Sequence, residues 1–210
     1  TLGVLEHGAN GLFWGMDNTI YVSEHDYNLR FRNGTFSTEK SLRRGQWGVT
    51  QDDGGRIYRN VNTDPLFVDF VAPRYYVRNP DLVKTRGLYE SLVVQETTNI
   101  WPAHPTRGLN RGYRSEVFRE DGTASYYGGV SSPLVYRGTR LPREMQGQAF
   151  VADGPTNIVH ALKLADDGTG NLRAQDYYAK GEFLASTDVR FRPTALTPGW
   201  DGTFYIADMY

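Results

Sequence analysis

Near the start of the chain, the residue best suited to acid–base chemistry is His7, in the run His7-Gly8-Ala9-Asn10-Gly11-Leu12. An imidazole changes charge near neutral pH, and small neighbours let a ligand approach the backbone, so His7 can serve as a general base. A hydrogen-bonded structural histidine is the competing reading. Arg43-Arg44-Gly45-Gln46 precedes a second apolar stretch as His7 precedes the first. If those stretches are equivalent elements, the two loops converge on one face and share a site. His25, His104 and His160 show no HxH or HExxH spacing, which leaves a histidine metal centre without support. The acidic pairs Asp52-Asp53 and Asp166-Asp167 sit in Asp/Gly turn sequences, and turn formation explains them better than a glycosidase-like carboxylate pair. No G-x-S-x-G elbow, P-loop or dinucleotide fingerprint is present.

Composition narrows the chemistry further. Lys+Arg 23 against Asp+Glu 24 gives a net charge of −1 over 210 residues, so there is no global positive field to hold nucleic acid or an anionic membrane. With no cysteine, the chain has no disulfide, thiol nucleophile, Cys-ligated zinc or covalently attached haem, and redox chemistry needs a bound organic cofactor. Arginines between Arg30 and Arg119 alternate with Tyr75, Tyr76, Tyr89, Trp101 and Tyr113. Such pairs bind single strands or sugars, but with acids nearby they also knit surface loops together. Apolar runs such as Ile20-Tyr21-Val22 are far too short for a transmembrane segment, and Thr1-Leu2-Gly3 opens no signal-peptide pattern.

The elements that must position these residues are strands. Abundant Gly and aromatic residues in short apolar stretches favour strands and turns, with one helical window from Asp81 to Gln95. Residues 11–22 align without gaps on residues 48–58 and 195–206, and a looser fourth copy lies at Gln148–Asp153. Each full copy reads as strand, two-residue turn and second strand, with Asp17-Asn18, Gly54-Gly55 and Asp201-Gly202 as turn pairs. Aligned at Tyr21, Tyr58, Phe150 and Tyr205, the spacings are 37, 92 and 55 residues, and the longest leaves room for one more unit. Recurring hairpins at this spacing are the signature of β-propeller blades. The expected fold is all-β: one propeller domain over residues 1–210, built of four-stranded antiparallel blades and incomplete in this chain. Such an open ring exposes two edges and the apolar flanks of Trp14 and Phe204, to be covered by further residues or a partner chain.

The runs Arg44–Asp53, Asn62-Thr63-Asp64-Pro65-Leu66, Asn110-Arg111-Gly112-Tyr113, Glu182–Asp188 and Arg190-Phe191-Arg192-Pro193 resemble the propeller of bacterial membrane-bound dehydrogenase-type proteins. That propeller is similar to the soluble pyrroloquinoline quinone glucose and sorbosone dehydrogenases. Ser132–Gly138, Leu141-Pro142 and Gly147–Val151 resemble a late blade of the same enzymes. The resemblance implies a six-bladed propeller in which His7 takes the proton from a sugar or alcohol hydroxyl while hydride passes to the quinone. It also implies that Arg43 or Arg44, with Gln46, contacts the quinone, and that Gly112 and Tyr113 belong to a loop holding calcium. A cytochrome electron acceptor and a periplasmic or secreted location follow from the same likeness. The alternative is a non-catalytic propeller subunit acting as a binding or scaffold module.

Overall fold

The computed structural model describes residue 4 and residues 7–93, 99–110 and 112–209, and it is mostly β. Among the described residues the strands form four antiparallel sheets in chain order. The first holds β1 (Asn10–Trp14), β2 (Thr19–Ser23), β3 (Tyr27–Arg32) and β4 (Thr35–Lys40). The second holds β5 (Val49–Gln51), β6 (Ile57–Val61), β7 (Asp64–Asp69) and β8 (Glu90–Ser91). The third is built from β9 (Val130–Val135), β10 (Ala149–Asp153), β11 (Ile158–Asp166) and β12 (Leu172–Asp176), with β13 (Leu184–Ala185) on the far end of β11. The fourth is the hairpin of β14 (Pro193–Pro198) and β15 (Phe204–Asp208). The first strands are neighbours in series: β1 packs on β5, β5 on β9 and β9 on β14. Consecutive meanders with adjoining first strands make the arrangement propeller-like.

The three full sequence copies become equivalent hairpins. In each, a backbone hydrogen bond closes the turn: Asn18 to Gly15, Gly55 to Asp52 and Gly202 to Gly199. The connections are longer than the expected two-residue turns, with a single left-handed residue per turn: Asn18, Gly55 or Gly202. This matches a type I turn followed by one αL residue. In the fourth copy β9 and β10 are joined by a longer connection, yet Phe150 still falls on the second strand like Tyr21, Tyr58 and Tyr205. No extra sheet fills the long spacing among the described residues. Instead the chain makes an irregular excursion that includes a short helix α1 (Pro73–Tyr76) and 3-10 turns at Pro80–Lys84 and Ser115–Val117.

The helix expected over Asp81–Gln95 is not formed; Val94 and Gln95 lie outside the described residues. Gly87 takes φ +101, and Glu90 and Ser91 pair with Val68 and Phe67 as the last strand of the second sheet. Leu88 and Leu92 are buried by that pairing rather than by a helical face. The core is divided between sheets. Tyr21, Val49 and Ile57 fill the gap between the first and second; Tyr58, Leu66, Val135 and Leu162 fill the next; Phe150, Tyr136 and Leu196 fill the last. Trp14 is half exposed as expected, but Phe204 packs onto the third sheet against Phe150, and it is Tyr205 that faces out. Among the described residues the first and fourth sheets share no strand pairing. No helix among the described residues is long and apolar enough to cross a membrane.

Candidate functional site

The first strands meet along an axis because the residues there are small. A Cβ on Gly11 would stand 2.6 Å from the Gly48 Cα, and one on Gly48 would stand 3.1 Å from the Ser132 Cα. Short polar side chains tie neighbouring sheets at the same level. Asn10 Nδ2 donates to the Gln46 carbonyl at 2.7 Å, and Ser131 Oγ donates to the Thr194 carbonyl at 2.9 Å. Where the strands begin, they surround a cavity of about 560 Å3 walled by Gly11 of β1, Gly48 just before β5, Ser132 of β9 and Thr194 of β14, with Trp47 and Arg192. Asp153 holds one side of this wall by accepting from the Gly128 and Gly129 N–H groups at 2.9 and 2.7 Å.

Beside Asn10, the structure brings His7 and Arg43 together through a carboxylate not singled out in the sequence. Glu24 Oε2 accepts from Arg43 Nε at 2.7 Å, Glu24 Oε1 lies 3.5 Å from His7 Nδ1, and Arg43 Nη2 donates to the His7 carbonyl at 2.9 Å. Glu24 holds a left-handed backbone, φ +56, and its N–H donates to the Arg44 carbonyl. The turn after β2 is thereby fastened to the loop before β5. Such a conformation is uncommon for a residue other than Gly, Asn or Asp and marks a place where the surroundings over-determine the backbone. A carboxylate at Nδ1 favours the tautomer that carries its proton there, leaving Nε2 as the acceptor.

The other expected contacts are placed differently. Arg44 turns inward, its guanidinium 5.1 Å from the Tyr89 ring centroid, toward the buried Arg59 and Asp69. Gln46 is buried, accepting from the Asn62 N–H and donating its own N–H to the Asn60 carbonyl, so it fixes the loop. Gly112 and Tyr113 are exposed and line another cavity with Leu109 and Phe118, sharing no wall residue with the axial one. Arg111 lies outside the described residues. Among those described, no three His, Asp or Glu side chains are grouped to hold a metal ion.

His160, which its sequence spacing set aside, is the centre of a buried ionic cluster. Its Nδ1 is 2.6 Å from Glu182 Oε2, and its Nε2 is 3.3 Å from Asp176 Oδ1 without hydrogen-bond alignment. Burial pulls the imidazole pKa down, but the charges of Asp176 and Glu182, with the Glu182 hydrogen bond, outweigh it and raise it to about 9. Nothing in the sequence spacing of residues 160, 176 and 182 announces this cluster; β11, β12 and the following turn assemble it.

Together, the sheet order and the axial cavity define a propeller-like β protein whose small first-strand residues frame a ligand-sized space. The chain belongs to the family described as domain of unknown function DUF7133, which it matches over residues 2–210. Nothing among curated proteins matches it. Among solved structures it is similar to a virginiamycin B lyase from Staphylococcus aureus, with 10% identity, TM-score 0.42 and 99% of this chain covered. It spans about half of that protein, 51%. It is also similar to a glucose dehydrogenase, with 13% identity, TM-score 0.36, 94% of this chain and 72% of the other covered.

Proposed function

We propose that this chain is part of a six-bladed propeller oxidoreductase that oxidises a sugar or alcohol hydroxyl at the axial cavity, with pyrroloquinoline quinone as cofactor. The observation that carries the reading is the His7–Glu24–Arg43 group beside Asn10 of the cavity wall. Glu24 orients the imidazole, His7 Nε2 accepts the hydroxyl proton, and Arg43 offsets the charge on Glu24. The cavity wall suits a planar polycarboxylate: the Arg192 guanidinium and the Asn62 amide N–H groups stand on it as donors, and the Trp47 ring adds a flat apolar surface. The chemistry supplied by a bound quinone is acceptance of hydride from the alcohol carbon. The residues do not fit the accompanying calcium in the same way, because Gly112 and Tyr113 line a different cavity. A periplasmic or secreted location and a cytochrome acceptor belong to the same proposal.

Mixing the protein with the quinone, titrating its absorbance and following dye reduction with aldoses tests this reading. Saturable binding and turnover that falls about 100-fold or more in His7→Ala are expected. Full turnover by His7→Ala, or no quinone binding, overturns it. A second reading, a non-catalytic scaffold module, is favoured by the exposed side chains Leu12, Trp14 and Phe36 on the first sheet, 72%, 53% and 52% accessible. A protein that binds a partner through that face and never takes up quinone would match it.

A further inference from the structure

We propose that a second cavity, between the β6–β7 turn and the excursion preceding β9, is a binding site for a neutral hydroxyl-rich ligand of the size of one or two sugar rings. The cavity measures about 590 Å3 and gathers Thr63 and Asp64, Asn110, and Tyr126 and Tyr127 from distant parts of the sequence. It lies back to back with the axial cavity. Asn62 and Gly129 belong to the axial wall, while Thr63, Asp64 and Tyr127 belong to this one.

Three features specify the ligand. First, Tyr127 is 4% exposed and its hydroxyl has no hydrogen-bond partner among the described residues. A buried hydroxyl left unpaired is costly, and a ligand hydroxyl or water would satisfy it. Its ring packs edge-on to the His160 ring, centroids 5.6 Å apart, so the wall rests on the buried ionic cluster. The wall residue Asn99 is tied to the same cluster, its N–H donating to Asp176 Oδ2 at 3.0 Å.

Second, the wall groups suit hydroxyls, which both donate and accept: the amide of Asn110, the hydroxyls of Ser125 and Tyr127, and the Asp64 carboxyl. Asp64 accepts from Ser91 Oγ at 2.7 Å, and burial raises its carboxyl above the usual range. Third, Asp64 and Glu116 outnumber the single Arg114, so the site has no cationic excess to hold a phosphate. Tyr126 and Tyr127, perpendicular with centroids 5.0 Å apart, add aromatic surface suited to the C–H face of a sugar ring.

The proposal stands apart from the redox reading, and its test is a binding measurement without quinone. Maltose, a neutral disaccharide, is titrated into the full chain by calorimetry, with inorganic phosphate in a parallel arm. Saturable maltose binding is expected, weakened about three- to tenfold by Tyr127→Phe, the value of one hydrogen bond, and weakened also by Asn110→Ala. Asn110 is exposed, so its replacement leaves folding intact even if Tyr127→Phe does not. His7→Ala leaves maltose affinity unchanged if the sugar sits here. Absence of maltose saturation, phosphate binding in its place, wild-type affinity in Asn110→Ala, or loss of binding in His7→Ala each overturns the proposal. Failure of quinone turnover alone leaves it standing.

Discussion

The two inner sheets and the two outer ones are made from the same hairpin, yet they differ in what surrounds it. In the second and third sheets β6 and β10 are buried almost throughout, with neighbours on both faces. In the first and fourth, β1 and β15 each present one face to a neighbour and the other to solvent: Phe13 and Phe204 pack inward while Leu12, Trp14 and Tyr205 are exposed. The aligned second-strand residue shows the pattern at a single position. Tyr21, Tyr58 and Phe150 each point into the gap before the next sheet and are 5%, 0% and 0% exposed; Tyr205, with no sheet following among the described residues, is 50% exposed. The repeat therefore encodes a hairpin and a direction, while burial comes from the neighbour.

The sharpest way to break this comparison is at the buried ion pair of the second sheet. Arg59 and Asp69, 2% and 1% exposed and 4.0 Å apart, are desolvated together, and Arg59 Nη1 also donates to the Val22 carbonyl of the first sheet. Arg59→Met leaves Asp69 buried and unpaired and is expected to cost about 3–5 kcal/mol in denaturant unfolding. Phe150→Ala opens a cavity between two sheets and should cost about 3–4 kcal/mol, whereas Phe36→Ala on the open face should cost under about 1 kcal/mol. Equal effects for the two Phe variants would erase the distinction between inner and outer sheets.

A pH series sharpens it next. The folded His160 pKa is raised to about 9, so its stabilising contribution is complete below its unfolded value of about 6.5 and is lost as pH rises through about 9. The urea midpoint should fall between pH 7 and pH 10 in the wild type, and His160→Gln should flatten that fall.

Much of this was legible in the sequence because hairpins are local. Turn residues and alternating apolar positions marked β1–β2, β5–β6 and β14–β15, and repeat equivalence alone put His7 and Arg43 in adjoining loops. The excursion between Val71 and Tyr127 was not legible: it has no period, and a leucine spacing that suits a helix was overridden by pairing of Glu90 and Ser91 with β7. Glu24 carried no signal either, since its role depends on a left-handed turn against a loop 19 residues away in the sequence. The His160 cluster escaped for the same reason, because its carboxylates come from an adjacent strand and the turn beyond it.

Smaller effects extend the series. The Tyr58 and Tyr21 hydroxyls both donate to turn carboxylates, Asp52 Oδ2 at 2.8 Å and Asp17 Oδ2 at 3.1 Å. Tyr58→Phe and Tyr21→Phe should each cost about 1 kcal/mol, and Tyr205→Phe less than about 0.5, by thermal unfolding. Smallest of all, Leu12→Ser should leave stability within about 0.5 kcal/mol and reduce self-association measured by light scattering, because its side chain meets water already.

The contact of Gly11 with Gly48, and of Gly48 with Ser132, sets the bore of the axial cavity by main chain rather than by side chains. A bore gauged in this way keeps its diameter when the residues facing it are exchanged. Trp47, Asn62, Arg192 or Thr194 can drift through many alternatives, altering what the space recognises, while the frame that defines its dimensions stays fixed at two glycines, one where a β-carbon would clash outright and one where it would be crowded on a strained backbone. Selectivity can thus be retuned without re-engineering the architecture, and an engineer seeking a new ligand should leave those glycines alone and diversify everything that looks inward past them.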